Sequence, residues 1–332
     1  METILTLFRA LAEPTRLRLL ALCDTGEHTV SDMVNVLGQS QPRVSRHLKL
    51  LCDAGILERL PEGNFVFYRR MTTNNPATEK IINETLAELT NNPETATMDR
   101  MRLEILRKER AKVAKLYFRQ NATNWNRLRS LHINETEVET ALIEIFPKRK
   151  GLNLIDIGTG TGRILEILSP YVGKGMGIDQ SREMLSIARA HLNQLKASNL
   201  HVRHGDMYRL PIGNSMVDVV TLHQVLHYAE DPNAVFHESA RILKPGGVMI
   251  VVDFEPHDIQ ELRDLHAHRR LGFGQADIKT WGAAADLTMT EQRRLPGNPL
   301  TVALWRLRKN TRRQQRSRTK AQKTVPSIER RS

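Results

Sequence analysis

The residues with the most specific chemical spacing are Asp156, Gly158, Gly160 and Gly162, which read D-x-G-x-G-x-G at the end of the apolar run Leu152–Ile157. Glycine lets a turn take positive φ and brings backbone close to a ligand. A helix beginning near Arg163, with apolar Ile164, Leu165, Ile167 and Leu168, presents free N–H groups at its start. A second acid, Asp179, ends the next apolar stretch, GKGMGID, with Gln180 beside it. An acid at such a strand end commonly grips ribose hydroxyls, and nucleotide ligands sit outside the carboxyl ends of parallel strands. Read without a ligand, the same glycines pack a helix onto a strand.

The alternating glycines with a preceding acid resemble the class I S-adenosylmethionine-dependent methyltransferases. The resemblance implies S-adenosyl-L-methionine as cofactor, held at Asp156, Gly158, Gly160, Gly162, Asp179 and Gln180. It also implies that Asp206, in HVRHGDMYRLP, accepts from the adenine amino group while Met207 lends its backbone N–H. Asp206 has a plainer reading as a turn-forming residue. RILKPGG is typical of the same family and closes a helix before a strand.

Methyl transfer from a sulfonium is an in-line displacement, in which positioning and water exclusion supply much of the acceleration. A general base is needed only when the acceptor must lose a proton. Candidates are His223 and His227, after the expected strand Val217–Leu222, and His266, His268, Arg269 and Arg270 later. His223 reads as a cofactor or substrate contact and His227 as local packing. The spacing of four places both on one face if that loop is helical, but no metal pattern accompanies them. The basic run LRDLHAHRRLGF is either a site for a substrate anion or a solvated helix face. No catalytic residue is assigned.

Ahead of this unit the chain has a different organisation. Helical spacing over Glu2–Ala12 is followed by Pro14, which fits the first turn of a second helix. Gly26 breaks that helix, and Thr29–Leu37 reads as a third. Ser40 is the expected N-cap of a fourth, running to Ala54 and stopped by Gly55. ILERL and NFVFYRR then read as two strands of a wing. This order is a helix-turn-helix followed by a β-hairpin. Ser40, Gln41, Arg43, Val44, Ser45, Arg46, His47 and Lys49 are the candidate DNA contacts, with Val44, Leu48, Leu50 and Leu51 able to pack inward. Arg and Gln near the start of a recognition helix reach base edges, and later Lys and Arg reach phosphates. The segments LFRALAEPTRLRLLALC, SQPRVSRHLKLL, AGILE and GNFVFYRR resemble the ArsR-type winged-helix repressors. The resemblance implies a double-stranded DNA operator and a homodimer built on terminal helices. Metal-sensing members carry cysteines where this chain has Thr29 and Ser31, and hydroxyls are poor ligands for soft metals. No metal site is expected.

The 332 residues, 40% hydrophobic, allow more than one domain. The sequence has no apolar run of membrane-spanning length and no signal-peptide pattern. Cys23 and Cys52 are its two cysteines, too few for a disulfide framework, so a reduced, cytoplasmic setting is expected. The net charge of +12 is uneven: Arg306–Ser332 holds 11 Lys/Arg against Glu329, which is +10 and leaves +2 elsewhere. That basic stretch reads as a disordered tail, either solubilising or a nucleic-acid contact arm.

The expected fold class is multidomain α/β: an N-terminal winged helix-turn-helix plus a C-terminal Rossmann-like seven-stranded methyltransferase fold. The expected boundaries are 1–75 for the DNA-binding domain, 76–115 for helical dimerisation segments, 116–308 for the methyltransferase domain and 309–332 for the tail. Within 74–150, TEKIINETLAEL and a charged helix over about Thr97–Phe118 are candidates for the dimer seam. Tyr117, Phe118, Trp125, Leu128 and Leu131 read as the start of the second domain. Two functions fit: a regulator that also methylates a small-molecule acceptor, or a sensor in which S-adenosylmethionine or S-adenosylhomocysteine sets DNA affinity.

Overall fold

The computed structural model describes residues 2–26, 28–62, 65–71, 73, 75–91, 93–121, 135–195 and 199–311. Trp125, Leu128, Leu131 and the basic tail beyond Thr311 lie outside them. The chain divides into two compact units, Met1–Leu116 with His257–Ala267, and Tyr117–Pro256 with His268–Ser332.

The first unit opens with α1 (Glu2–Leu11) and α2 (Pro14–Asp24). Glu13 caps α2 by accepting from Arg16 N–H at 2.9 Å. Thr29 caps α3 (Val30–Leu37) in a capping box with Asp32, so the hydroxyl at the metal-sensing position serves the helix start. Gly38, at φ 65°, ends α3 in the left-handed conformation. Then comes α4 (Gln41–Asp53), with Ser40 at the cap position but making no side-chain capping bond. Pro42 within its first turn presets the backbone instead. The wing is β2 (Leu57–Glu62) antiparallel to β3 (Phe65–Arg70). A short β1 (His28–Thr29), which has no signal in the sequence, pairs with β3.

Leu19, Leu20, Met33, Val44, Leu48, Leu51 and Ile56 form the core of this unit. α5 (Pro76–Asn91) and α6 (Pro93–Asn121) follow, and their Ile82 and Leu103 join the same core. Pro93, whose type suggests a break, is instead the first residue of a helix longer than expected. Arg18 grips buried Asp99 of α6 with two bonds of 2.6 Å. Leu50, expected to pack inward, is exposed.

The second unit is a seven-stranded sheet in the order β6-β5-β4-β7-β8-β10-β9. Its strands are β4 (Leu152–Ile157), β5 (Val172–Asp179), β6 (Leu200–His204), β7 (Val217–His223), β8 (Leu243–Phe254), β9 (Leu287–Leu295) and β10 (Val302–Lys309). β4 to β8 are parallel, while β10 is antiparallel to both β8 and β9. Helices α7 (Glu135–Ile145), α8 (Arg163–Leu168), α9 (Arg182–Gln194), α10 (Pro232–Ile242) and α12 (Gln275–Ala284) accompany it, and α11 (Gln260–His266) is a further short helix in the chain. α11 falls in the stretch grouped with the first unit.

The central strands are near-continuous apolar runs because helices cover both faces. Ile155, Val220, Leu222, Phe236, Met249, Val251, Trp281 and Trp305 lie in that core. β8 begins directly after α10 and includes Lys244–Gly247, where the sequence suggests a turn. The register with β7 shifts there, so the KPGG segment is absorbed as an irregularity in the ladder. No helix among the described residues is long and apolar enough to cross a membrane.

Candidate cofactor site and nucleic-acid interface

The glycine turn is built from both neighbouring strands. Gly158 N–H donates to Ile178 O at 2.8 Å, and Gly158 and Gly160 both have positive φ. A side chain at Gly158 has no room: a Cβ there would lie 2.2 Å from Val225 Cγ2. Asp156 is 1% exposed and takes the Thr221 hydroxyl at 2.6 Å. Buried beneath the turn, it ties β4 to β7.

Asp179 holds the turn from the other side. Its Oδ2 accepts Gly160 N–H at 2.9 Å and its Oδ1 accepts Ser181 N–H at 2.8 Å. Each carboxylate oxygen has a second lone pair, so the group remains able to accept from a diol. Burial pushes its carboxyl above the usual range, against the backbone donors and His204. Gly205 N–H donates to Asp179 O at 3.0 Å, which brings Asp206 beside it at the carboxyl edge. Asp206 Oδ1 accepts Tyr208 N–H at 3.0 Å, the turn geometry of its plainer reading, while Asp206 stays half-buried. Met207 packs against the core, and Gln180 is exposed.

Tyr208, which no sequence motif singled out, links this segment to the loop after β7. Its hydroxyl accepts the N–H groups of Glu230 at 2.7 Å and Asp231 at 3.2 Å. Burial pushes its phenol up to about 12.

His223 ends β7 opposite Val252 and is buried. His227 does not share a helix face with it: only Leu226–Tyr228 forms a turn of 3-10 helix. His227 is packed locally, as expected, and its Nδ1 also lies 2.7 Å from Asp253 Oδ1. The one sequence signal was an acid at the end of the apolar run VMIVVDF, the same signal that marked Asp179. The run LRDLHAHRRLGF is not one helix face. α11 ends at His266, Ala267 turns at φ 58°, and His268 and Arg270 are buried.

On α4, Ser40, Gln41, Arg43, Arg46 and Lys49 are exposed and Ser45 is half-buried. His47 departs from its expected role as a DNA contact, and Val44 takes the inward-packing role expected of it in place of a DNA contact. Val44 is fully buried in the core, and His47 turns inward with Nδ1 3.6 Å from Glu13 Oε2. Burial pushes the His47 imidazole down, and Arg16, Arg43 and Arg46 add to that, against Glu13.

A winged helix-turn-helix and a doubly covered sheet with a glycine turn at its carboxyl edge define a DNA-binding module joined to a methyltransferase fold. The sequence matches bear this out. Residues 13–59 match the bacterial regulatory protein, arsR family, and residues 155–251 match a methyltransferase domain. The chain therefore carries an ArsR-family DNA-binding domain and a class I S-adenosylmethionine-dependent methyltransferase domain.

Similar proteins include the uncharacterised methyltransferase YcgJ of Bacillus subtilis, 30% identical over 106 residues, 32% of this chain and 42% of that one. The arsenite methyltransferase of Aquipseudomonas alcaligenes is 32% identical over 31% of this chain and 33% of its own. The demethylmenaquinone methyltransferase of Lactococcus lactis is 36% identical over 31% and 42%. The chain thus spans less than half the length of these relatives. Among solved structures, the Haloferax volcanii methyltransferase in complex with the Trm112 activator shares the fold with a TM-score of 0.50 and 22% identity, over 58% of this chain and 96% of that one.

Proposed function

We propose that this protein is a DNA-binding transcriptional regulator whose second unit binds S-adenosylmethionine and methylates a small molecule. The observation that carries it is the Asp179 carboxylate pinned to Gly160 N–H, with Asp206 one strand away. Gly158 and Gly160 would take the cofactor's methionine end, Asp179 its ribose, and Asp206 with Met207 its adenine. His223 lies at the same edge. The chemistry suits a nucleoside, with carboxylates to accept from hydroxyls and an exocyclic amine and glycines that let the backbone approach closely.

The relatives' names point to unlike acceptors, arsenite and a menaquinone precursor. The second unit has no cysteine, since Cys23 and Cys52 both precede it. Without thiolates it offers little to a soft metalloid, which favours an organic acceptor. On the DNA side, a homodimer would place Gln41, Arg43, Ser45 and Arg46 in successive major grooves, in a cytoplasmic setting.

Calorimetry with S-adenosylmethionine, run beside an operator titration with and without it, tests the reading. Cofactor binding that leaves operator affinity unchanged supports an enzyme with autoregulation. A shift in operator affinity favours the sensor. Absence of cofactor binding overturns both.

A further inference from the structure

The carboxyl edge of the sheet holds a buried acid–base pair that the glycine turn does not use. Asp253 sits at the end of β8 with a side chain 0% exposed, and His227 faces it from the turn after β7 at 2%. The Asp253 carboxylate takes His227 Nδ1 at 2.7 Å, Phe254 N–H at 2.9 Å and His227 N–H at 3.3 Å. An ionised carboxylate only accepts, so Nδ1 carries a proton, and in the neutral ring Nε2 keeps the lone pair. Nε2 is buried and has no hydrogen-bond partner among the described residues. A loop anchor needs Nδ1 alone. A basic nitrogen fixed in tautomer by an acid and left unpartnered is what a proton acceptor needs.

The pair also lies where a reacting group would be. Ligands of such sheets bind outside the carboxyl ends of the strands, and β7, which carries β8 on its far side, is the neighbour of β4. Gln224 leaves β7 with φ 50° and its N–H on Val252 O. Val225 then packs on Gly158, and His227 follows two residues on. One short turn therefore spans from the glycine loop to the dyad. His268 stacks on the His227 ring at 4.0 Å, with the Tyr228 and Phe254 rings at 4.1 and 5.3 Å. These rings enclose Nε2, and an acceptor reaches it only if Tyr228 or His268 turns aside.

We propose that His227 is the general base of methyl transfer and Asp253 its positioning residue, so that the acceptor is a hydroxyl or thiol. The proposal rests on the methyltransferase reading above. The acceptor proton passes to His227 Nε2 as its oxygen or sulfur attacks the methyl carbon. The new bond to carbon forms, the carbon–sulfonium bond breaks, and its electron pair stays on sulfur, leaving S-adenosylhomocysteine. Asp253 holds the imidazolium until its proton leaves to solvent.

The test uses the full chain with S-adenosylmethionine and three probe acceptors: catechol, dithiothreitol and dimethyl sulfide, which has no proton to lose. H227N should lower the ratio of protic to aprotic transfer by about 100-fold or more. Cofactor affinity by calorimetry should stay within about two-fold, and the acid limb of the parent's pH–rate profile should vanish. D253N should lower the same ratio. A parental ratio in H227N overturns the dyad and leaves the methyltransferase reading standing, as does a parent that methylates dimethyl sulfide alone. A parent that binds the cofactor and transfers to none of the three overturns the proposal of a hydroxyl or thiol acceptor, whereas a parent that does not bind the cofactor overturns the methyltransferase reading itself. If H227N loses the cofactor, D253N decides by the same ratio, and loss of cofactor by both variants makes the pair a structural anchor and overturns the proposal.

Discussion

Asp179 does two jobs with one carboxylate: it fixes the glycine turn through Gly160 N–H, and it is the expected ribose acceptor. Removing it in D179A should weaken S-adenosylmethionine by about 1.5–3 kcal/mol, the range for a hydrogen bond to a charged group. Calorimetry at neutral pH checks this, and unchanged affinity contradicts the assignment. The pH dependence has a definite sign. Burial raises the folded carboxyl above its ordinary value, so the folded state holds the proton more tightly than the unfolded one. Its contribution to stability is complete below the ordinary aspartate value and is lost as pH rises through the raised one. The cofactor's hydroxyls need the ionised form, so affinity should fall as pH drops through that raised value. D179A should bind weakly with a flatter pH profile, and a parent whose affinity stays flat throughout the acid range in which it remains folded contradicts this.

At the scale of elements, α4 separates reading from packing. Arg43→Ala should relax operator preference, whereas Lys49→Ala should weaken all sequences alike; footprints identical to the parent's in both exclude this helix as the reader. Leu48→Ala opens the core beneath and should cost about 2–5 kcal/mol in unfolding experiments. Ile4, Leu5 and Phe8 on α1, and Met98, Met101 and Ile105 on α6, are exposed apolar residues at helical spacing. Such stripes usually mark an interface. Phe8→Glu should shift sedimentation from dimer to monomer, and a parent that sediments as a monomer contradicts the homodimer.

Much of this was legible in the sequence, because caps, glycine turns and apolar periods are local signals. Pro14, Thr29, Gly55 and the D-x-G-x-G-x-G run each marked a boundary through backbone chemistry. What stayed hidden depends on tertiary placement. Leu50 faces out, against the expected inward packing, because helix phase is set by what α4 packs against. Pro93 reads as a break or as a first helical residue with equal local logic. The His227–Asp253 pair joins residues far apart in sequence, brought together only by β8 lying beside β7.

At the scale of the molecule, the basic end of the chain sets the long-range field. The fold extends past the boundary expected at residue 309. Lys309 closes β10 and donates to Ala240 O at 2.6 Å and Leu243 O at 2.7 Å. Asn310 is buried and bonds Asp286 at 2.7 Å and Thr288 at 2.8 Å. A cut after Thr311 spares these hydrogen bonds, where a cut after Lys309 removes the Asn310 cap. The cut after Thr311 deletes eight Lys/Arg and one Glu, a change of −7 that takes the net charge from +12 to +5. Thermal unfolding of the truncated chain should match the parent, since both units keep every hydrogen bond described above. If the deleted residues lie along phosphates, the log–log salt slope of DNA binding should flatten by about 0.9 for each phosphate no longer neutralised. Operator preference should hold, because groups that grip phosphates position a protein without reading bases. A truncated chain with the parent's slope leaves the basic residues as a solubilising charge and assigns the whole DNA footprint to the winged helix.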